Sequence, residues 1–182
     1  MIPWFDSPRI VFGSVAMELA DGLAIAGAVA ALLVAYRRAR GANLSVRRAV
    51  DGMVAIIVCG VLFGHALDVL LYRVQEWHRD GWSLLPWAGG FSSMGGLVGV
   101  AVAVALCFRA PGGLQWQHLD HAAAALLVGL GMLRVGCFLG HHHAGRRSGF
   151  VLAVGYPGGA RHDLGLYEAL LAFGILAAVL VG

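Results

Sequence analysis

The chain has 182 residues, 59% of them hydrophobic and 13% charged, and its mean hydropathy is +0.78. A soluble domain carries roughly 25% charged residues, so this composition excludes a water-solvated globule and makes lipid the solvent. All 13 basic residues are arginine, and the net charge of +3 reflects short Arg-rich loops, which excludes a basic surface for nucleic acid.

The first seven residues, Met1 to Ser7, lack a positive n-region, and the apolar stretch that follows carries Glu18 and Asp21. That stretch is therefore expected to stay as a membrane helix and not to be cleaved as a signal. Apolar runs of about 18 to 24 residues fall at 13–36, 50–72, 89–108, 119–139 and 164–181, each long enough for one crossing. They predict an all-α integral membrane protein, one transmembrane domain over 1–182 built as a bundle of about five helices. Between the first two runs lie Arg37, Arg38, Arg40, Arg47 and Arg48, the strongest positive-inside signal in the chain. This loop is expected on the cytoplasmic side, with the N-terminus outside and the C-terminus cytoplasmic. The second loop balances Arg73 and Arg79 against Glu76 and Asp80, whereas the fourth, with Arg146, Arg147 and Arg161, argues the other way. Gly60-x-x-x-Gly64, Gly95-x-x-x-Gly99 and Gly136-x-x-x-Gly140 are small-residue ridges that let helix backbones approach closely.

With this topology the ionisable residues gather near the outer face. Glu18 and Asp21 fall in the outer part of helix 1, His65 and Asp68 in that of helix 2, and Ser92 and Ser93 at the outer end of helix 3. Helix 4 leaves with Arg134 and runs into His141, His142 and His143, and helix 5 opens on His162, Asp163, Tyr167 and Glu168. An arginine at mid-helix costs about 2.5–3.5 kcal/mol, so Arg134 requires partners or a water-filled cavity. Glu18, Asp21, Asp68 and Glu168 are the candidates. Any one of these residues alone reads as a snorkelling group or a structural ion pair. Gathered in one layer, they read as a functional site.

Three adjacent histidines cannot all address one ion from regular backbone. At most two would ligate, and a cluster that hydrogen-bonds phosphate or is solvated fits better, so no metal and no cofactor are expected. Cys59, Cys107 and Cys137 have no paired spacing; Cys59 and Cys107 read as packing residues, Cys137 less clearly so.

Several segments, in order, resemble the prolipoprotein diacylglyceryl transferase family. Ile2-Pro-Trp-Phe-Asp-Ser-Pro is similar to its N-terminus, and Phe63-Gly-His-Ala-Leu-Asp-Val-Leu-Leu-Tyr72 to its second-helix segment. Ser93-Met-Gly-Gly-Leu-Val-Gly99 resembles its His-Gly-Gly-Leu-x-Gly motif. Gly131-Met-Leu-Arg-Val-Gly-Cys-Phe-Leu-Gly140, with Gly145-Arg146 after it, resembles Gly-Arg-x-Gly-Asn-Phe. Arg161-His-Asp-Leu-Gly-Leu-Tyr-Glu168 resembles His-Pro-x-Gln-Leu-Tyr-Glu. That family moves the diacylglyceryl group of phosphatidylglycerol onto a lipobox cysteine at the outer leaflet. The resemblance implies a bacterial cytoplasmic (inner) membrane location, a phosphatidylglycerol-like phospholipid as donor and a lipobox prolipoprotein as acceptor. It also implies departures: Met94 stands in place of the motif histidine, Cys137 of the asparagine, His142 of a glutamate, His65 of an arginine and Asp163 of the proline. The family's final helices, with a further arginine, have no counterpart.

The catalytic candidates are accordingly Arg134 on phosphate, His142, His143 or His162 as base, and Glu168 as an orienting group. Arg146, Tyr167, His65, Asp68, Glu18, Asp21 and Ser93 would shape the substrate site. The rival reading is a non-catalytic membrane subunit that binds lipid, metal or cofactor within a larger complex, with a partner subunit in the membrane. A transporter fits less well, since the ionisable residues form no path across.

Overall fold

A computed structural model describes residues 1–12, 15–80, 90–110 and 113–181. It is mostly helical. The helices are α1 (Leu19–Gly41), α2 (Val46–Leu67), the short α3 (Val74–Asp80), α4 (Ser93–Cys107), α5 (Trp116–Leu139) and α6 (Leu164–Val181). A single π turn, Asp68–Tyr72, prolongs α2. Among the described residues four stretches are long and apolar enough to cross a membrane: Leu19–Gly41, Val46–Tyr72, Trp116–Leu139 and Leu164–Val181. The protein is a multi-pass membrane protein.

The expected span at 89–108 is shorter than predicted. The described helix there, α4, has 15 residues, which rise roughly 22 Å against a hydrocarbon core of about 30 Å. Ser92 caps it, its Oγ accepting the Gly95 N–H at 3.3 Å. The first expected span, 13–36, also needs correction. Arg9–Phe12 (β1) and Val15–Glu18 (β2) pair as an antiparallel hairpin, and the helix starts only at Leu19. Glu18 is thus the last residue of a strand, and Asp21 sits in the first turn of α1, where a carboxylate complements the helix dipole.

Contacts divide the chain into two compact units, Met1–Val34 with Ala123–Gly182, and Ala35–Ala122. In the second unit α2 and α4 pack through glycine. A Cβ on Gly95 or Gly99 would overlap the carbonyls of Phe63 or Cys59, so these helices touch backbone to backbone. Phe108, fully buried, lays its ring against Gly52. Arg38 Nε donates to His121 Nδ1 at 3.2 Å, joining the end of α1 to the start of α5. A two-residue ladder, Arg109–Ala110 (β3) with Gly113–Leu114 (β4), precedes α5.

In the first unit Gly27 faces Gly129, and Gly136 faces Ala20, so α1 and α5 meet along small residues. Between α5 and α6 the chain forms an antiparallel three-stranded sheet, β5 (Ala144–Arg147), β7 (Gly159–Asp163) and β6 (Val154–Tyr156), in that order. The expected loop is therefore a structured platform. Its hairpin turns at Pro157-Gly158, with Gly158 at φ 90°, the left-handed position that glycine occupies without strain. Ile2 bridges to Val154, tying the N-terminal segment to the sheet.

Candidate functional site

Arg134 lies on α5, five residues before its end, with its side chain 16% exposed. Its Nη1 is 2.9 Å from Glu168 Oε2 on α6, a charge-assisted bond. The same Nη1 lies 3.5 Å from His143 Nε2. A guanidinium can only donate, so His143 turns a lone pair toward it. The two helices can place these groups face to face because Gly165, at the start of α6, rests against the backbone of Arg134, Cys137 and Phe138. Below the ion pair opens a groove of about 240 Å³ lined by Leu127, Leu130, Arg134, Glu168, Leu171, Ala172 and Ile175. It presents a charged head and an apolar wall, the polarity of a phospholipid.

The three histidines diverge. His143 faces Arg134, and His142 Nε2 is 3.5 Å from Glu18 Oε2. His141 turns inward with φ 54°, stacks on Trp4 with ring centroids 4.2 Å apart, and donates from Nε2 to the Phe5 carbonyl at 2.8 Å. Among the described residues no three His, Cys, Asp or Glu side chains gather where an ion could sit. His162 Nδ1 and the Tyr167 hydroxyl are 2.7 Å apart, so these two candidates hold one another. Arg146 stands exposed on β5, and Asp21 is exposed at the head of α1.

His65, Asp68 and Ser93 lie in the other unit. There the π turn brings Arg73 over Asp68, with Arg73 Nη1 4.0 Å from Asp68 Oδ2 and the Arg73 N–H bonded to the Asp68 carbonyl. His65 is buried on α2, and Ser93 opens α4. Met94, beside Ser93, is 61% exposed.

Two further residues stand out: Asp163, which the sequence gives no site role of its own, and Tyr156, which it does not single out. Asp163 is fully buried at the end of β7, and the Tyr156 hydroxyl donates to its Oδ2 at 2.5 Å. Burial, then this bond, then the charge of Asp163 push the Tyr156 phenol well above its ordinary value. The folded protein thus holds that proton more tightly than the unfolded chain. The stability involved is complete below the ordinary tyrosine value near pH 10 and is lost as pH rises beyond it. In detergent, the midpoint of thermal unfolding is expected to fall more steeply above about pH 10 in the wild type than in Tyr156→Phe. Parallel curves would show that Tyr156 does not contribute.

These observations define a multi-pass membrane protein with an arginine–carboxylate pair at the head of an apolar groove between two spans. A family model described as prolipoprotein diacylglyceryl transferase matches residues 21–182, and the chain belongs to that family. Relatives named phosphatidylglycerol–prolipoprotein diacylglyceryl transferase from Brucella ovis, Brucella canis and Brucella abortus are each 34% identical over 137 residues. The aligned part is 72% of this chain and 49% of each relative, so the chain spans about half the length of the curated relatives it matches.

Proposed function

We propose that the protein transfers the diacylglyceryl group of phosphatidylglycerol, or of a closely similar phospholipid, to the cysteine thiol of a lipobox prolipoprotein. The observation that supports this best is the Arg134–Glu168 pair set over an apolar groove, with His143 beside it. In the step proposed, the acceptor sulfur bonds to the glyceryl carbon as that carbon's bond to the phosphate oxygen breaks. Glycerol phosphate leaves with the electron pair, and the thiol proton passes to a base. Arg134 neutralises the charge that develops on the leaving phosphate, an interaction stronger in a dry site than in water. Glu168 fixes the guanidinium, and His143, exposed beside the pair, is the base proposed, its Nε2 lone pair becoming available once the phosphate takes the guanidinium N–H that now points at it. In the same reading His142 with Glu18, His162 with Tyr167, and Arg146 shape the headgroup and acceptor region. Asp21, at the head of α1 in the same unit, stands at the edge of that region. The cluster Arg37 to Arg48 favours a cytoplasmic first loop, which sets the site toward the outer leaflet of a bacterial inner membrane.

The test is incubation of the purified protein with acyl-labelled phosphatidylglycerol and a lipobox peptide, beside His143→Ala. The expected result is label on the peptide thiol and release of glycerol phosphate, both at least about tenfold slower in the variant. An unchanged rate in His143→Ala would sink the histidine base.

One observation favours a second reading. Met94 sits where the family motif has histidine, and a thioether accepts no proton. A non-catalytic subunit that binds lipid within a larger assembly would copurify with a partner or a stoichiometric ligand and leave the peptide unlabelled.

A further inference from the structure

The family motif His-Pro-x-Gln-Leu-Tyr-Glu places a proline where this chain has Asp163, and proline offers no side-chain acceptor. Asp163 is fully buried and uses both carboxylate oxygens. Its Oδ1 accepts the Leu166 N–H at 3.1 Å, capping α6, and its Oδ2 accepts the Tyr156 O–H from β6. His141 Nδ1 lies 3.8 Å from the same Oδ2, while the His141 ring is held by Trp4 and by the Phe5 carbonyl. One carboxylate therefore joins the sheet to the head of α6, and the His141 ring, itself held by the N-terminal residues, packs beside it. The Leu164 N–H bonded to the His143 carbonyl at 3.0 Å fixes the next residue as well. Glu168 follows Leu164 by one helical turn, so it rides on the turn that Asp163 caps.

We propose that Asp163, with Tyr156 and His141, is a positioning device for the Arg134–Glu168 pair, setting the register of α6 so that Glu168 meets the guanidinium. The proposal rests on the transferase reading for its effect on rate, but not for its effect on geometry. Asp163 touches neither the groove nor the reacting atoms; it acts through the helix that it starts. A cap that is also tied to the sheet prevents the first turn of α6 from fraying or rotating. Tyr156 is the more dispensable member, since its loss leaves the cap in place.

Two readouts test this. In protein labelled with ¹⁵N-arginine, the Arg134 side-chain signal, assigned with Arg134→Gln, should be slowly exchanging in the wild type. In Asp163→Ala it should exchange at least about tenfold faster, with Asp163→Asn, which keeps the cap acceptor, returning most of the protection. In the transfer assay, Asp163→Ala should lower kcat about tenfold and leave KM for phosphatidylglycerol within about twofold, since the lipid contacts remain. Should Asp163→Ala fail to fold, Tyr156→Phe gives the same pattern at about threefold. Native Arg134 exchange in Asp163→Ala, or in Tyr156→Phe where that is the variant in hand, would overturn the proposal. A wild type that labels no peptide sinks the transferase reading alone, and the positioning claim is then decided by the arginine signal.

Discussion

Arg134→Ala is expected to lower transfer from phosphatidylglycerol by about 10²–10³-fold, the usual loss when one donor to a developing oxyanion is removed. The arginine is the group in the groove able to present a fork of N–H donors to a phosphate, and Glu168 holds it at 2.9 Å. Arg134→Lys keeps the charge but loses the planar fork, so it should recover less than about a tenth of the wild-type rate. Glu168→Gln keeps the shape and removes the charge that orients the guanidinium, and should cost about tenfold. All three proteins should fold, because Glu168 is 48% exposed and is not stranded when Arg134 is shortened. The assay reads labelled peptide per unit of folded protein; a fully active Arg134→Ala would remove the arginine from the chemistry.

The second large effect is structural. Gly99→Leu should leave no detergent-stable protein, a loss of more than about 4 kcal/mol. A Cβ at Gly99 would overlap the Cys59 carbonyl and lie 2.8 Å from the Gly60 nitrogen, and backbone atoms within a packed helix cannot step aside. Gly96→Ala, only three residues away, is the control. The nearest atom to its Cβ would be the Gly60 carbonyl oxygen at 3.9 Å, so the change should fall within about 0.5 kcal/mol of wild type. Unfolding midpoints in detergent distinguish the two, and equal midpoints would show that α2 and α4 do not meet as closely as described.

The contrast between Gly96 and Gly99 shows what a pattern can and cannot reveal. The small-residue spacing at Gly95 and Gly99 is visible in the residues, and it does mark the face that meets α2. Which neighbouring glycine is open depends on the crossing of the helices, which spacing alone does not set. The spans were legible for the same reason, because lipid demands long apolar runs. The start of α1 was not. Residues 13–18 continue the apolar run, and only the pairing of Arg9–Phe12 with Val15–Glu18 shows that 15–18 are extended. The sheet between α5 and α6 had a signal, Pro157-Gly158-Gly159 between Val154-Gly-Tyr156 and Ala160-Arg-His-Asp163, which reads as a hairpin turn.

Within the site, an arginine in a span requires an acid, but the sequence leaves Glu18, Asp21, Asp68 and Glu168 open, and the structure puts Glu168 at 2.9 Å. In sequence the histidine run is one cluster, and the structure separates it into three sets of partners. The left-handed backbone at His141 sends its ring inward against Trp4, away from His142 and His143. No residue spacing announces that reversal. Asp163 was noted as a substitution for proline, but its worth as a cap and as the acceptor of Tyr156 depends on the sheet that brings β6 beside it.

On the proposed function, the groove between α5 and α6 receives a phospholipid with its phosphate at Arg134. A structure of the protein with phosphatidylglycerol bound tests this most directly. A phosphate oxygen is expected within about 3 Å of the Arg134 guanidinium, with an acyl chain along Leu127, Leu130 and Leu171. A headgroup seated instead among Arg37, Arg38, Arg47 and Arg48, with the groove unfilled, would contradict it.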